Sequence, residues 1–230
     1  MEEYHNIYIL GTSHIAAESV KQVKTNFERI KPEIMALELD SGRLYSLRHK
    51  TKRPKNLALL RKLGLSGFVF FVLGEFIQKK LGRIVNMDPG AEMMASLKIS
   101  ESHNIPVALV DRDIQITLRR FSRHFRKSEG IKMVFDFILG IFRKNPLGEI
   151  NLAEVPSERV IEYVLDHTKK RYPSLYKILI DERDRYMASA LYHISESNPD
   201  KKILAVVGAG HVRGINRYLK QISEHKETFK

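Results

Sequence analysis

Four short runs of β-branched and aliphatic residues alternate with helical patterns, and this alternation limits the folds open to the chain. The runs are Ile7–Leu10, Ile34–Leu39, Val107–Val110 and Ile203–Val207. Between the first two, apolar residues of Ala16–Ile30 recur at the spacing of one helix face. Strands that alternate with helices predict an α/β fold, with a largely parallel central sheet flanked by helices.

The rest of the sequence is strongly helical in pattern and fits insertions into that fold. We predict helical insertions at about residues 44–87 and 119–192, which together form a cap. Hydrophobic residues make up 43% of the 230 residues, which is enough for one core. The chain is therefore predicted to be a single α/β domain over residues 1–230.

Two apolar segments lie in the predicted insertions, at Phe68–Ile77 and Met133–Phe142. Each is shorter than the about 20 residues that a bilayer crossing needs. The first is apolar in consecutive positions, so a helix formed from it must be covered on every side. We expect a homodimer with one of these helices in its interface, and basic flanks placed to contact an anionic membrane surface.

Composition excludes several classes of protein. The chain has no cysteine, which rules out disulfides, thiolate zinc sites and a thiol nucleophile. The net charge is +12, but the basic residues are spread widely, and the densest run, Arg48–Lys55, contains no aromatic residue for base stacking. We therefore predict no nucleic-acid partner. The acidic N-terminus is unlike a signal peptide, which predicts a cytoplasmic protein, associated with the membrane if an anchor follows residue 230.

Polar residues follow each predicted strand, at the edge where ligands bind in an open parallel sheet. The four segments are Gly11-Thr12-Ser13-His14, Glu38-Leu39-Asp40, Asp111-Arg112-Asp113 and Gly208-Ala209-Gly210-His211. Two of them share the pattern Gly-x-x-His. Histidines and carboxylates from distant parts of the chain are thus predicted to meet at one edge of the sheet.

The two histidines and one glutamate are the strongest candidates for chemistry. The imidazoles of His14 and His211 suit either a divalent metal or general acid–base catalysis. Glu38 ends an aliphatic strand, where a carboxylate is costly unless it is paired or bound to a cation. Glu18 follows His14 by one helical turn, and is either a partner that orients the imidazole or a residue favoured by the helix dipole.

Two arginines and a further glutamate have open interpretations. Arg112 and Arg183 either hold a substrate carboxylate or neutralise acidic residues in a structural ion network. Glu92 follows Pro89-Gly90 at the start of a predicted helix. It is either a surface residue favoured by the helix dipole or a member of the pocket.

Six ordered sequence blocks resemble the TraB/PrgY family, within a superfamily marked by paired Gly-x-x-His motifs that includes Tiki-like proteases and erythromycin-esterase-like proteins. The blocks are GTSHIAAES at 11–19, LELD at 37–40, PGAEMMA at 89–95, DRDIQITLRR at 111–120, ERDRYMA at 182–188 and GAGHVRGI at 208–215. The resemblance places the motif histidines at His14 and His211 and the motif glutamate at Glu38. It places Glu92, Arg112 and Arg183 on characteristic blocks of the TraB branch.

The resemblance implies a metal-dependent hydrolase that acts on peptides. His14, Glu38 and His211 would hold a divalent cation, with Mn²⁺ or Co²⁺ favoured by the likeness to Tiki and Zn²⁺ also compatible. Arg112 or Arg183 would stabilise a substrate carboxylate or oxyanion, and Glu92 or Glu18 would serve as general base. The alternative is a non-catalytic protein that binds or sequesters a pheromone-like peptide in the same cleft.

Overall fold

The computed structural model describes residues 1–12, 17–49, 90–142 and 158–227. Its strands are β1 (Glu2–Tyr4), β2 (Ile7–Thr12), β3 (Ile34–Leu37), β4 (Val107–Leu109) and β5 (Ile203–Gly208). Its α-helices are α1 (Ala17–Ile30), α2 (Ser41–His49), α3 (Ala91–Ser102), α4 (Ile114–His124), α5 (Lys127–Phe142), α6 (Glu158–Arg171), α7 (Pro173–Tyr176), α8 (Glu182–Ser197) and α9 (Val212–Glu227). A π-helical turn, Lys177–Asp181, leads into α8.

The five strands form one sheet in the order β1-β2-β5-β3-β4. β1 is antiparallel to β2, and the other pairings are parallel. β5 is the last strand in the chain but lies in the middle of the sheet, where Ile203 is paired with Ile7 on one side and Ile34 on the other. This arrangement confirms the predicted α/β fold with a largely parallel sheet.

Helices cover both faces of the sheet. Successive side chains of each strand point to opposite faces, so each strand contributes to both cores. On one face, Leu204 and Val206 of β5 pack with apolar residues of α1 and α3. On the other face, Ile203, Ala205 and Val207 pack with those of α8 and α9. Burial on both faces explains why the strands appear in the sequence as continuous apolar runs rather than as an alternating pattern.

Two features differ from the sequence-based picture. β1 is short and largely polar, so its composition gives little strand signal; it extends the sheet by pairing Glu2 with Ile9. α8 begins inside the second predicted insertion, but its residues Met187 and Leu191 belong to the core beneath the sheet. α8 is therefore one of the flanking helices, and it carries residues directly to the sheet edge.

Only one of the two predicted apolar helices lies within the described residues. Phe68–Ile77 lies outside the described residues. Met133–Phe142 falls within α5, where Ile131 and Phe135 are 72% and 58% exposed. Among the helices described, none is long and apolar enough to cross a bilayer.

Candidate active site at the carboxyl edge of the sheet

Glu38 and His211 meet at the carboxyl edge of the sheet. Glu38 directly follows β3, and its backbone N–H donates to Val206 O of β5 at 3.1 Å. His211 immediately precedes α9, with its backbone N–H bonded to Gly208 O at 2.9 Å. Their side chains are only 2% and 7% exposed, and 3.5 Å separates His211 Nε2 from Glu38 Oε1. The convergence of these two residues matches the prediction.

The two Gly-x-x-His segments begin side by side. Thr12 at the end of β2 is paired with Gly208, and Ala209 N–H donates to Thr12 O at 2.8 Å. A Cβ atom on Gly11 would stand 2.7 Å from Val212 Cγ2, so glycine is required for this close approach. The first motif therefore starts at the same edge as the second. His14 itself lies outside the described residues, and its place beside His211 stays a prediction.

Asp184 orients the imidazole of His211. Its Oδ1 lies 2.5 Å from His211 Nδ1, and the Asp184 side chain is 1% exposed. A carboxylate at Nδ1 favours the tautomer that carries its proton there, which leaves on Nε2 a lone pair that can accept from Arg183 Nη1. Burial raises the pKa of Asp184, while the hydrogen bond to His211 opposes that rise.

Arg183 joins the acidic groups to the histidine. Its guanidinium bonds Glu38 Oε1 and forms a two-point contact with Asp111, Nε to Oδ1 at 3.1 Å and Nη2 to Oδ2 at 2.7 Å. Nη1 lies 3.0 Å from His211 Nε2. Burial opposes the charge on Arg183, but Glu38 and Asp111 outweigh burial and raise its pKa. Arg183 is therefore a charged group at the centre of the site.

Arg112 lies at the same edge of the sheet but faces away from this cluster. Its guanidinium donates to Thr117 Oγ1 at 2.9 Å, Glu182 Oε2 at 3.1 Å and Ile178 O at 2.9 Å. Its side chain is 8% exposed. These contacts favour the interpretation of Arg112 as part of an ion network that fixes the start of α8, rather than as a group that binds substrate.

The π-helical turn before α8 helps to place Arg183. Two carbonyl groups of this turn accept from arginines of the site: Ile178 O from Arg112, and Leu179 O from Arg183 Nη1 at 3.2 Å. Such turns occur frequently at functional sites. Arg183 and Asp184 are consecutive residues just beyond this turn, so one short segment supplies both the central cation and the partner of His211.

The two candidate general bases lie in helices that pack on the face of the sheet opposite to α8 and α9. Glu92 is buried, 1% exposed, in the first turn of α3, and Glu18 is half-buried in the first turn of α1. Both helices pack on the face that holds Leu204 and Val206. A role for either glutamate in the chemistry stays a prediction.

The donor set of this site is compatible with a cation. The Oε1 of Glu38 and the Nε2 of His211 are close enough to be neighbouring ligands, and Asp184 occupies the second nitrogen of the imidazole, as carboxylates do behind metal-bound histidines. Nearby, Asp40 Oδ2 is buried and has no hydrogen-bond partner in the described part of the chain. No group of three metal-ligating side chains occurs within the described residues, to which His14 does not belong.

Asp184 is the site residue that sequence reasoning missed. A signal was present: Asp184 precedes Met187, Ala188 and Leu191 at helical spacing, and all three are buried in the core. A carboxylate on the buried stripe of a helix needs a partner. Spacing along the chain does not indicate that this partner is His211.

Comparison with known proteins identifies the family of the chain. Residues 2–229 match the TraB/PrgY/gumN family. The chain is 33% identical over 219 residues to an uncharacterized protein of Methanocaldococcus jannaschii, an alignment that covers 94% of this chain and 54% of that protein. TraB domain-containing proteins of Mus musculus and Homo sapiens are each 22% identical over 242 residues, covering 94% of this chain and 63% of theirs. The chain thus spans little more than half the length of these relatives, and it belongs to the TraB/PrgY/gumN family.

Proposed function

We propose that the protein is a metal-dependent hydrolase that acts on peptides. The observation that carries the proposal is the arrangement of Asp184, His211 and Glu38. A buried carboxylate holds Nδ1 of the histidine at 2.5 Å, and Nε2 lies 3.5 Å from the oxygen of a second buried carboxylate. This is the arrangement that a ligating histidine needs, because its free nitrogen must be unprotonated and fixed in direction.

His211 and Glu38 would hold the cation together with His14. When bound, a cation of this kind acidifies a water molecule and polarises a carbonyl group. A site of imidazole and carboxylate suits Mn²⁺, Co²⁺ or Zn²⁺, and Mn²⁺ and Co²⁺ are preferred here on the likeness to Tiki.

The charges around the two donors also favour a cation. Glu38, Asp111 and Asp184 are three buried acidic side chains, with exposed fractions of 2%, 5% and 1%. Within the described residues, one guanidinium, that of Arg183, contacts the first two directly. Arg43 adds a more distant contact, 3.6 Å from Asp111. A cluster of buried carboxylates favours a cation bound beside it.

The remaining residues have roles that follow from their contacts. Asp184 keeps the tautomer of His211, and Gly208 N–H holds Glu38 Oε2 at 2.6 Å. Arg183, anchored on Asp111 next to the two donors, would stabilise the negative charge that develops on a peptide carbonyl oxygen. Arg43, 37% exposed at the edge of the cluster, would contact the substrate first.

The experiment is to combine metal analysis with a peptide digest. The purified protein is analysed for bound metal, then incubated with a peptide library with and without Mn²⁺, and the products are read by mass spectrometry. We expect cleavage that depends on Mn²⁺ and is lost in His211→Ala and Glu38→Gln. His193→Ala, at an exposed histidine of α8, serves as the matched control and should retain full activity.

The outcome also decides between the proposal and its alternative. Peptide binding without cleavage under Mn²⁺, Co²⁺ and Zn²⁺ would contradict the hydrolase and favour a non-catalytic peptide-binding protein. Loss of activity in His193→Ala as well as in His211→Ala would show that the assay reports general damage. A cytoplasmic location and contact with a membrane surface are further parts of the proposal, which fractionation of cells and vesicle binding would test.

A further inference from the structure

We propose that Arg183 is a displaceable counterion that competes with the metal for Glu38, and thereby sets the affinity of the site for its cation. The inference rests on the proposed metal-dependent function and assigns a role to one residue of that site. Its basis is that the guanidinium contacts the ligand atoms themselves, rather than the groups behind them.

The contacts of Arg183 coincide with the two donors. One guanidinium nitrogen, Nη2, bonds Oε1 of Glu38, which is the oxygen nearest to His211 Nε2. The other, Nη1, lies 3.0 Å from Nε2 itself. A cation held by Glu38 Oε1 and His211 Nε2 would need the lone pairs that face this guanidinium. Arg183 and the cation therefore exclude each other from these two atoms.

The two ligands are fixed from behind, whereas Arg183 is anchored to one side. Glu38 Oε2 accepts from Gly208 N–H at 2.6 Å, and His211 Nδ1 is held by Asp184 at 2.5 Å. Neither contact involves Arg183. Arg183 has its own anchor in the two-point contact with Asp111. Because Nη2 bonds Glu38 as well as Asp111, the guanidinium frees Glu38 and His211 by turning about its Nε contact with Asp111 Oδ1 at 3.1 Å, and both ligands keep their own contacts and stay in place.

The competition is electrostatic as well as steric. An arginine side chain stays protonated in proteins, so deprotonation cannot relieve its repulsion from the metal ion. A divalent cation and a guanidinium within a few ångströms repel each other strongly in a buried site. Removal of the guanidinium is therefore expected to tighten cation binding, and its presence stabilises the acidic cluster of the metal-free protein.

The test is calorimetric titration of the full chain with MnCl₂. Arg183→Gln should bind Mn²⁺ at least about tenfold more tightly than the wild type, and its metal-free form should unfold at lower temperature. Arg183→Lys keeps the charge but loses the two-point geometry, so its affinity should be intermediate. Arg120→Gln is the matched control, because Arg120 bonds Glu182 and does not contact either ligand; its Mn²⁺ affinity should equal that of the wild type.

The results separate this inference from the proposed function. If the wild type binds Mn²⁺ and Arg183→Gln binds it no more tightly, the role of Arg183 is wrong and the metal site stands. An equal gain in Mn²⁺ affinity in Arg120→Gln would also overturn the inference, because the loss of one positive charge anywhere near the site would then explain the tighter binding. If neither the wild type nor Arg183→Gln binds Mn²⁺, Co²⁺ or Zn²⁺, the metal site itself is wrong. Should Arg183→Gln fail to fold, the comparison of Arg183→Lys with the wild type decides.

Discussion

Gly214 leaves room for the carboxylate of Asp184: a methyl group at position 214 would overlap Oδ2. The glycine lies in the first turn of α9, three residues after His211, and Asp184 lies near the start of α8. The two helices therefore approach each other closely where the dyad of Asp184 and His211 is formed. A residue with no side chain is thus part of the support for the histidine.

Gly214→Ala is expected to destabilise the protein by about 1–3 kcal/mol, because the new methyl group must displace a buried carboxylate. The better helix propensity of alanine acts in the opposite direction by at most about 1 kcal/mol. Urea unfolding measures the difference. Gly210→Ala is the control, since a Cβ there would lie 3.8 Å from Leu165 Cδ2, an ordinary contact. Equal stabilities for Gly214→Ala and wild type would show that the helices shift freely.

Asp184→Asn is expected to lower metal affinity by about 10–100-fold without unfolding the protein. The amide can donate to Nδ1 of His211 and so place the imidazole proton on Nε2, the atom that faces Glu38. ¹⁵N NMR of the histidine side chains distinguishes the two tautomers. Asp181→Asn, which changes a carboxylate bonded to Arg217 and Tyr218, should leave the His211 signals unchanged. An unaltered tautomer in Asp184→Asn would mean that other contacts orient the ring.

Phe135→Glu is expected to convert a homodimer into a monomer. Ile131 and Phe135 are one helical turn apart on α5 and are strongly exposed, so they form an apolar strip on one face of the helix. Light scattering at micromolar concentration measures the mass. The matched control is Lys132→Glu, which introduces the same side chain at another exposed position of the same helix and should leave the mass unchanged. A wild-type monomer would contradict the dimer.

Asp136 is expected to make stability depend on pH in the acidic range. Hydrogen bonds from Arg171 and then Tyr172 lower the pKa of Asp136 to about 2, from an ordinary value of 3.8. Because the folded pKa is the lower one, the contribution is present above about pH 4 and is lost as the pH falls through about 2. Asp136→Asn should therefore be less stable than wild type at about pH 6, and the difference should shrink on acidification.

Urea unfolding at several pH values tests this prediction. Asp200→Asn, at an exposed turn position, should show no such trend. A constant difference between Asp136→Asn and wild type from about pH 6 to pH 3 would indicate that Asp136 contributes through packing rather than through its charge.

The strands and the sheet edge could be predicted because burial on both faces leaves a strong sequence signal. Ile203–Val207 and Ile34–Leu39 are continuous apolar runs, and the structure places strands at Ile203–Gly208 and Ile34–Leu37. The meeting of Glu38 with His211 followed from the rule that parallel strands share a carboxyl edge. No comparable rule was available for side-chain partners that come from a helix.

Arg112 and Arg183 illustrate that limit. Both arginines lie in blocks that are characteristic of the family, and the sequence leaves the same two possible roles open for both. The structure separates them: Arg183 contacts Glu38, Asp111 and His211, whereas Arg112 contacts Glu182 and backbone oxygen. Arg183 lies just beyond the π-helical turn that precedes α8, and the wider helical geometry of that turn has no composition signal.

The central position of β5 affects when the sheet can form during synthesis of the chain. β2 and β3 do not pair with each other, since β5 lies between them, so a nascent chain that has not yet reached residue 203 holds two strands with unfilled edges. Pairing across such long stretches of chain is slow and leaves those edges open to other chains. His211 follows β5 by three residues, so the histidine arrives together with the strand that closes the sheet. A chain released early has neither a complete core nor the dyad of Asp184 and His211 on which the proposed function depends.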